Sequence, residues 1–592
     1  ITTPGAGSNA IVAQSVHGGG GLVMNGNSMV LKSGGGSGTD GLVTVTVNKA
    51  VAATGTGASG VVMHSSADPI LNVGSSGSVL GGPGGVAALF DGPINVLNNS
   101  GTVSGATAGD LAVQSVSGDT TVNNSGTLFG NFTLAAGGTN LVNNMGTGRI
   151  LAGSSLDLGG GVLQNDGVLQ NGGGSVGTVT INGSLKQSAT GSLVVRLDQV
   201  NGTVDAFNVT GTAELKGTLR PTTINGGQIA PGTISLTNVF SATGGLDISG
   251  LSIANTAIMN YTLTNVGGVL GFTSTANFSP RGLSAAGQQI ASIISGAQAN
   301  GLPHFTSLTV GLVGISTTSA LDQAYRNVSG VGASSVTTVG SQMTTSFMTL
   351  MLNPFAGAPG NNAAAIGFAR GFAAAGQPVQ RWSIWGSAYG GYNETSGATS
   401  AEDLTARVYG LATGFDYRAT PDTLIGFALG GGGTNSQLSN GFSERSDAFQ
   451  FGVYGSKKFG ESYLSGALSY AWHNVNTTRY LSLPNATYTA AFNAHSFGGR
   501  VEAGHRFETP MLGITPYAAL QVQNFFTPSY SETAAAGSPP ALALSYNSRS
   551  AVMTRTELGA VFDKMVALTD GRALAIRTRA AWAHDHSSNP DI

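Results

Sequence analysis

The sequence predicts an all-β chain in two parts. An N-terminal parallel β-helix or similar solenoid is followed by a short α-helical linker and a C-terminal antiparallel transmembrane β-barrel. Three observations predict this: an amide–glycine cassette that recurs through the first half, helical spacing of apolar residues in a middle stretch, and period-two alternation over long segments in the last third. Shifts in residue type place the boundaries. Residues 1–280 contain only eight aromatics and no Trp, whereas all four Trp fall in 371–592. The expected domains are therefore a solenoid over 1–280, with 175–220 as its closing segment, a helical linker over 281–370 and a barrel over 371–592.

Composition limits what such a chain can be. At 592 residues it exceeds one hydrophobic core. Charged residues are only 9%, against about 25% in ordinary soluble domains. Its 92 glycines are roughly twice the usual share of ~7%. The absence of cysteine fits passage through an oxidising compartment, where stray thiols mispair. A net charge of −3, with no basic stripe, excludes nucleic acid as a partner. No uncharged apolar run is long enough for a transmembrane helix. The chain opens at Ile1 without a Met or a basic-then-apolar leader, so a removed signal peptide or a missing N-terminal piece is expected.

In the first region the cassette reads LNNSGTV at Leu97–Val103, VNNSGTL at Val122–Leu128, LVNNMGTG from Leu141 and LQNDGVL at Leu163–Leu169. Asn98, Asn123, Asn143 and Gln164 are spaced by 25, 20 and 21 residues, close to one solenoid rung. Short β-branched runs stack, glycines turn corners, and an amide above a like amide satisfies it. A disordered Gly/Ser/Asn linker would not hold apolar residues at matched positions. Residues 175–220 close the array with alternating strands (Val179, Ile181; Leu193, Val195, Leu197) split by Asn-Gly and Thr-Gly turns.

The linker carries Ile290, Ile293 and Ile294 at helical spacing, then a second helix with Ser319 as its N-cap. A third helix places Met343, Phe347 and Leu350 on one face and ends before Pro354. Its remaining positions are almost all Ser, Thr and Gln. Such a slim, uncharged helix suits either a narrow aqueous lumen or an ordinary interdomain connection.

From Trp382 the alternation has period two. Near Arg407–Tyr417 one face carries Tyr409, Leu411, Phe415 and Tyr417, and the other Val408, Gly410, Ala412, Gly414 and Asp416. Nine such segments fit between 383 and 585, the eighth at 543–563. Their length matches the 9–11 residues of a membrane strand rather than the 5–6 of a soluble one. A soluble sandwich would show charges on one face; here both faces are nearly free of them.

Residues Arg381–Glu394, Tyr409–Gly432, Phe449–Gly460, Ser496–Glu508, Pro516–Phe525 and Arg555–Asp563 together resemble the autotransporter β-domain of Gram-negative bacteria. The 175–220 segment resembles the passenger-associated repeat found before it. The resemblance implies a twelve-stranded outer-membrane barrel whose pore holds a helix, here the one bearing Met343, Phe347 and Leu350. It also implies outer-membrane lipid, the barrel assembly machinery and periplasmic chaperones as partners. About nine of twelve strands are present, so a sequence lacking about three strands is expected, since an open sheet edge in lipid leaves backbone groups unsatisfied. The function implied is export of the chain's own solenoid passenger to the cell surface. That passenger is expected to be an adhesin-like or structural module for an unidentified ligand on a host or neighbouring cell. The alternative is a soluble secreted repeat adhesin with a non-membrane β-domain.

Lumen-facing charges are the candidate site: Arg500, Glu502, Arg506, Arg555, Glu557, Arg577 and Arg579. They either hold and guide the translocating segment or brace a wet wall. No enzyme, cofactor or metal is expected. Gly35–Val43 fits one calcium nonapeptide, but a single copy builds no site. Gly55–Gly60 fits a dinucleotide fingerprint without the strand-then-helix setting. The passenger holds only His17 and His64, and a serine with His64 and Asp68 is a paper triad only. Asn361-Asn362 resembles a self-cleavage pair, but it lies beyond the pore helix.

Overall fold

A computed structural model describes residues 1–16, 22–25, 28–31, 41–352, 357–358, 361–362, 381–396, 402–509, 511–567 and 573–587. The chain divides into two compact units, Ile1–Arg281 with Ser292–Thr318, and Gly282–Ala291 with Ser319–Ile592.

The first unit is a parallel β-solenoid of about seven turns. Consecutive turns stack in register, so Leu71, Leu97, Val122, Val142, Leu163 and Leu185 form one buried column. Asn98, Asn123 and Asn143 lie above one another as their spacing requires, with Gln164 in the next register position. Each donates to the turn before it: Asn143 to Asn123, Asn123 to Asn98 and Asn98 to Asn72, all at 2.9 Å.

A second ladder runs inside. Asn99 donates to Asn124 (2.8 Å), Asn124 to Asn144 (2.8 Å), Asn144 to Asn165 (2.7 Å) and Asn165 to Gln187 (2.9 Å). The second amide proton of each of these four asparagines meets a backbone carbonyl one turn on. These side chains are buried, and only a fully satisfied polar row is tolerated there.

The solenoid does not end at 220. Parallel pairing continues through Phe207↔Phe240 and Leu219↔Ile253. An antiparallel hairpin, Met259–Val266 with Val269–Ala276, then covers the last turn. Near this end Asp205 receives Arg196 Nε (2.9 Å), Asn171 Nδ2 (2.8 Å) and the Gly177 amide (2.8 Å).

Among the described residues four α-helices follow: α1 (Ala285–Ala299), α2 (Thr306–Leu312), α3 (Thr318–Ser329) and α4 (Ser334–Met351). Two linker expectations are corrected. Ile293 is exposed while Ile294 is buried, so the three isoleucines do not form one buried face. Ser319 is already inside α3 rather than its N-cap.

The second unit is built on nine antiparallel strands in chain order. They are β1 (Trp382–Thr395), β2 (Leu404–Thr420), β3 (Thr423–Leu438), β4 (Phe442–Phe459) and β5 (Ser462–Leu481). Next come β6 (Ala486–His505), β7 (Gly513–Thr527), β8 (Arg549–Ala567) and β9 (Ala573–Ser587). Among the described residues β1 and β9 do not pair with each other, and the sheet is open.

Burial alternates residue by residue as the sequence pattern requires. Leu411 and Leu468 project from the outer face, and Ala412 and Ala467 line the inner one. The eighth strand starts at Arg549, not near 543. The segment before it folds back: Tyr530–Ser531 pairs with Ser545–Tyr546, and Thr533–Ala534 adds to Tyr488–Thr489 of β6. Its apolar residues imitate a strand because they fill the mouth of the sheet, where Leu542 is buried.

Candidate functional site

The inner face of the sheet holds α4. Three apolar clusters line its length. Val336 meets Leu438, Phe442 and Phe525; Val339 and Met343 meet Ala406 and Val408; Phe347, Met348 and Met351 meet Ala428, Tyr454 and Ala467. Small wall residues make the close fit possible. At Gly340 a Cβ would lie 2.2 Å from the Phe525 ring, and at Gly498 of β6 it would lie 2.8 Å from Met348 Cε. Met343 and Phe347 are fully buried, as the helical pattern suggested. Leu350 is only partly buried, and Met351 continues the line in its place.

Several of the helix hydroxyls are satisfied within the helix itself, which lowers the cost of packing so polar a helix against the wall. Thr344, Thr345 and Ser346 each donate to the carbonyl four residues back. Thr344 also shares a hydrogen bond with Ser496 of β6 (2.9 Å), and Thr345 accepts from Gln521 Nε2 of β7 (2.8 Å).

Connections set the polarity of the assembly. β2–β3 and β4–β5 are joined by two-residue turns at one end, whereas the long connections 396–403 and 528–548 are at the other. The N-terminal part of α4 packs at the long-connection end, beside Phe442, and Met351 near the tight-turn end, beside Gly452 of β4.

Two ion-pair systems close the long-connection mouth. Arg326 of α3 pairs with Glu402 (2.7 Å). Arg479 of β5 grips Glu532 in the 528–548 segment through Nε (2.8 Å) and Nη2 (2.5 Å). It also donates to the Leu542 carbonyl (2.8 Å) and to the Asn327 carbonyl of α3 (3.3 Å).

The predicted charges converge on the β5–β9 side of the wall. Arg500 donates to Glu502 (2.9 Å) and Glu557 (3.0 Å), and Arg579 donates to the same two carboxylates (3.0 and 2.9 Å). Tyr463 donates to Glu502 (2.8 Å), and Tyr517 donates to Glu557 (2.5 Å) while accepting from Arg579 (2.6 Å). Arg506 makes a bidentate pair with Asp563 (2.9 and 2.7 Å), and Arg555 pairs with Asp585 (3.1 Å). Arg577 is in β9, but its side chain lies outside the described residues.

Two cations thus face two carboxylates at the centre, and the cluster neutralises itself. Gln521 links it to α4, binding both Arg500 (3.4 Å) and Thr345 (2.8 Å). The partners Asp563, Asp585 and Tyr517 were not singled out from sequence; their inward parity on β7, β8 and β9 was the available signal.

Other candidates disperse. His64 pairs with Asp91 (2.8 Å), not Asp68, and Ser117 donates to that same carboxylate (2.5 Å). The Gly55–Gly60 stretch is a corner between two solenoid strands. Asn361 and Asn362 pair with Gly357–Ala358 beyond the end of α4. The Gly35–Val43 nonapeptide falls mostly outside the described residues, as does His17. Among the described residues no group of His, Asp and Glu is arranged to hold a metal.

The chain is similar to known proteins over its C-terminal third. Residues 384–592 match the family model described as the autotransporter β-domain. Two proteins named extracellular serine protease from Serratia marcescens are 26% and 25% identical over 206 residues, 34% of this chain. The chain spans about a fifth of their length (19%). Among solved structures, the β-domain of the Bordetella autotransporter BrkA is 18% identical, covering 35% of this chain and 82% of its own, with a TM-score of 0.29. The translocator domain of NalP from Neisseria meningitidis is 15% identical, covering 43% and 78%, with a TM-score of 0.33. Residues 384–592, about a third of the chain, therefore form a region of autotransporter β-domain type, preceded by a β-solenoid.

Proposed function

We propose that the nine-stranded sheet belongs to a barrel spanning the outer membrane, through whose lumen the solenoid reaches the cell surface, α4 remaining inside. The observation that carries this is the course of α4 along the inner face, its N-terminal part at the long-connection end and Met351 toward the tight turns. Outer-membrane barrels keep short turns in the periplasm and long loops outside. On that rule the chain before Ser334 leaves the lumen on the outer side, and the chain after Met351 rejoins β1 on the periplasmic side. Exposed aromatics at both strand ends, Trp382, Phe459 and Phe507 at one and Tyr392, Tyr480 and Phe526 at the other, supply the two girdles such barrels carry.

The passenger serves in this reading as an adhesin-like or structural module, without catalysis. The Ser117 hydroxyl is directed at Asp91 rather than at an imidazole, which does not build a nucleophile. The assembly machinery and periplasmic chaperones act on the barrel, and a surface ligand on the solenoid.

Because the sequence has no cysteine, single introduced thiols report topology without background. Ser188→Cys in the solenoid should react with a membrane-impermeant maleimide on intact cells. Glu461→Cys in the β4–β5 turn should react only after permeabilisation. The opposite pattern sinks the proposal. Loss of heat-modifiable electrophoretic mobility would favour the soluble repeat adhesin instead.

A further inference from the structure

The outer face of the sheet has a notch that the fold itself does not require. Gly455 of β4 and Gly466 of β5 are paired directly and sit between Ile425 and Val501 in one cross-strand row. Neither has a positive φ. A Cβ built on either would meet nothing closer than 3.4 Å. They differ in this from Gly340 and Gly498, which close packing demands. The missing side chains leave a depression of about 790 Å³ walled by Phe427, Val453 and Leu468 together with that row.

We propose that this notch is a specific site for one anionic phospholipid of the periplasmic leaflet, with a hydrocarbon chain over Gly455 and Gly466 and the phosphate at the tight-turn rim. The walls are outward-facing apolar residues of membrane strands, so the material against them is hydrocarbon. A smooth wall would exchange its lipid freely, whereas a notch adds contact around one chain.

The rim supplies the charge. Lys457 is exposed, two residues beyond Gly455 on the same face, with its ammonium 5.2 Å from the Phe459 ring centroid. Arg381 adjoins Trp382, another wall residue, and donates to the Tyr417 hydroxyl (3.5 Å). Among the described residues neither cation makes an ion pair, which leaves both to a phosphate. The inference rests on the membrane-spanning reading above.

The test reconstitutes the protein with its barrel closed into phosphatidylethanolamine vesicles containing phosphatidylglycerol as the minor component. Mild detergent extraction and native mass spectrometry then follow. The wild type should carry one retained phospholipid, enriched in phosphatidylglycerol over the vesicle composition. Gly455→Leu with Gly466→Leu should lose it while heat-modifiable mobility is kept. The alanine pair, which fills less space, should lose it in part and serves if the leucine pair misfolds. Lys457→Gln should retain a phospholipid but fall back to the vesicle ratio. No retained lipid on the wild type, or equal retention by the filled variants, overturns the site. A chain that never enters the vesicles overturns the membrane reading itself, and the site with it.

Discussion

Glu532→Ala should unlatch the mouth of the barrel without unfolding the wall. The wild-type carboxylate is buried and holds Arg479 through two hydrogen bonds, and it accepts the Leu544 amide at 2.9 Å. Truncating it strands the Arg479 guanidinium in a buried setting. Breaking one side of a buried pair costs about 3–5 kcal/mol. Arg479 keeps two carbonyls and the Tyr488 ring at 4.7 Å, which places the cost at the lower end of that range. A net cost of about 3 kcal/mol corresponds to roughly a hundredfold rise in the open population of 528–548. Hydrogen exchange at the Ala535 amide, which donates to the Thr487 carbonyl (2.9 Å), should accelerate by that factor, while amides in the middle of β4 and β5 keep their protection. Replacing both partners, Arg479→Met with Glu532→Leu, should restore most of the protection, because an apolar pair of similar volume is close to neutral. Unchanged exchange in Glu532→Ala, or a double variant as open as the single, would refute the latch.

Other outcomes follow from the same structure. Asn144→Ala interrupts the inner ladder and orphans the amide of Asn124 and the carbonyl oxygen of Asn165. It should cost about 2–4 kcal/mol, read as a lower denaturant midpoint for the solenoid, whereas Asn143→Ala on the half-exposed ladder should cost under about half of that. Burial opposes ionisation of Asp198, but hydrogen bonds from Asn201, Asn225 and the Val200 amide outweigh it and hold the carboxyl below its ordinary range. Its stabilisation is therefore complete above the unfolded value, near 3.9, and is lost as pH falls through the lower folded value. The midpoint difference between wild type and Asp198→Asn should shrink in acid below about pH 4; a difference that is flat with pH would contradict this. Gly340→Leu drives a side chain into Phe525 and should cost about 1–3 kcal/mol by overpacking, seen as a lower temperature for the heat-modifiable transition.

Most of the second unit was legible because its residues obey one local rule. The alternation through Arg407–Tyr417 assigns Val408 and Asp416 to the inside and Tyr409 and Leu411 to the outside, and burial follows it. Asn98, Asn123 and Asn143 carried the solenoid register for the same reason, since each rung repeats its predecessor. What could not be read depends on pairs far apart in sequence. Arg479 meets Glu532 and Arg500 meets Glu557 across 53 and 57 residues, and no periodicity links such partners. The 543–548 stretch was read as the start of the eighth strand because only the local pattern was visible, whereas Ser545–Tyr546 pairs with Tyr530–Ser531 instead. Leu350 was read into the buried face by spacing alone, although the lumen selects Met351. Inward parity put Arg500, Glu502, Glu557 and Arg579 on one face but could not show their mutual neutrality, which needs the register of β6, β8 and β9 together.

The two amide ladders of the solenoid run in opposite senses, the outer donating toward the N-terminus and the inner toward the C-terminus. A turn joining either end of a growing stack therefore gives one amide hydrogen bond and receives another from the turn already in place. Only the terminal turn ever carries unmatched amides, so the polar defect stays constant while the buried column lengthens. The opposed side-chain dipoles also cancel turn by turn, and no field accumulates along the stack. A solenoid of this kind can change length by whole turns without altering what either of its ends must satisfy.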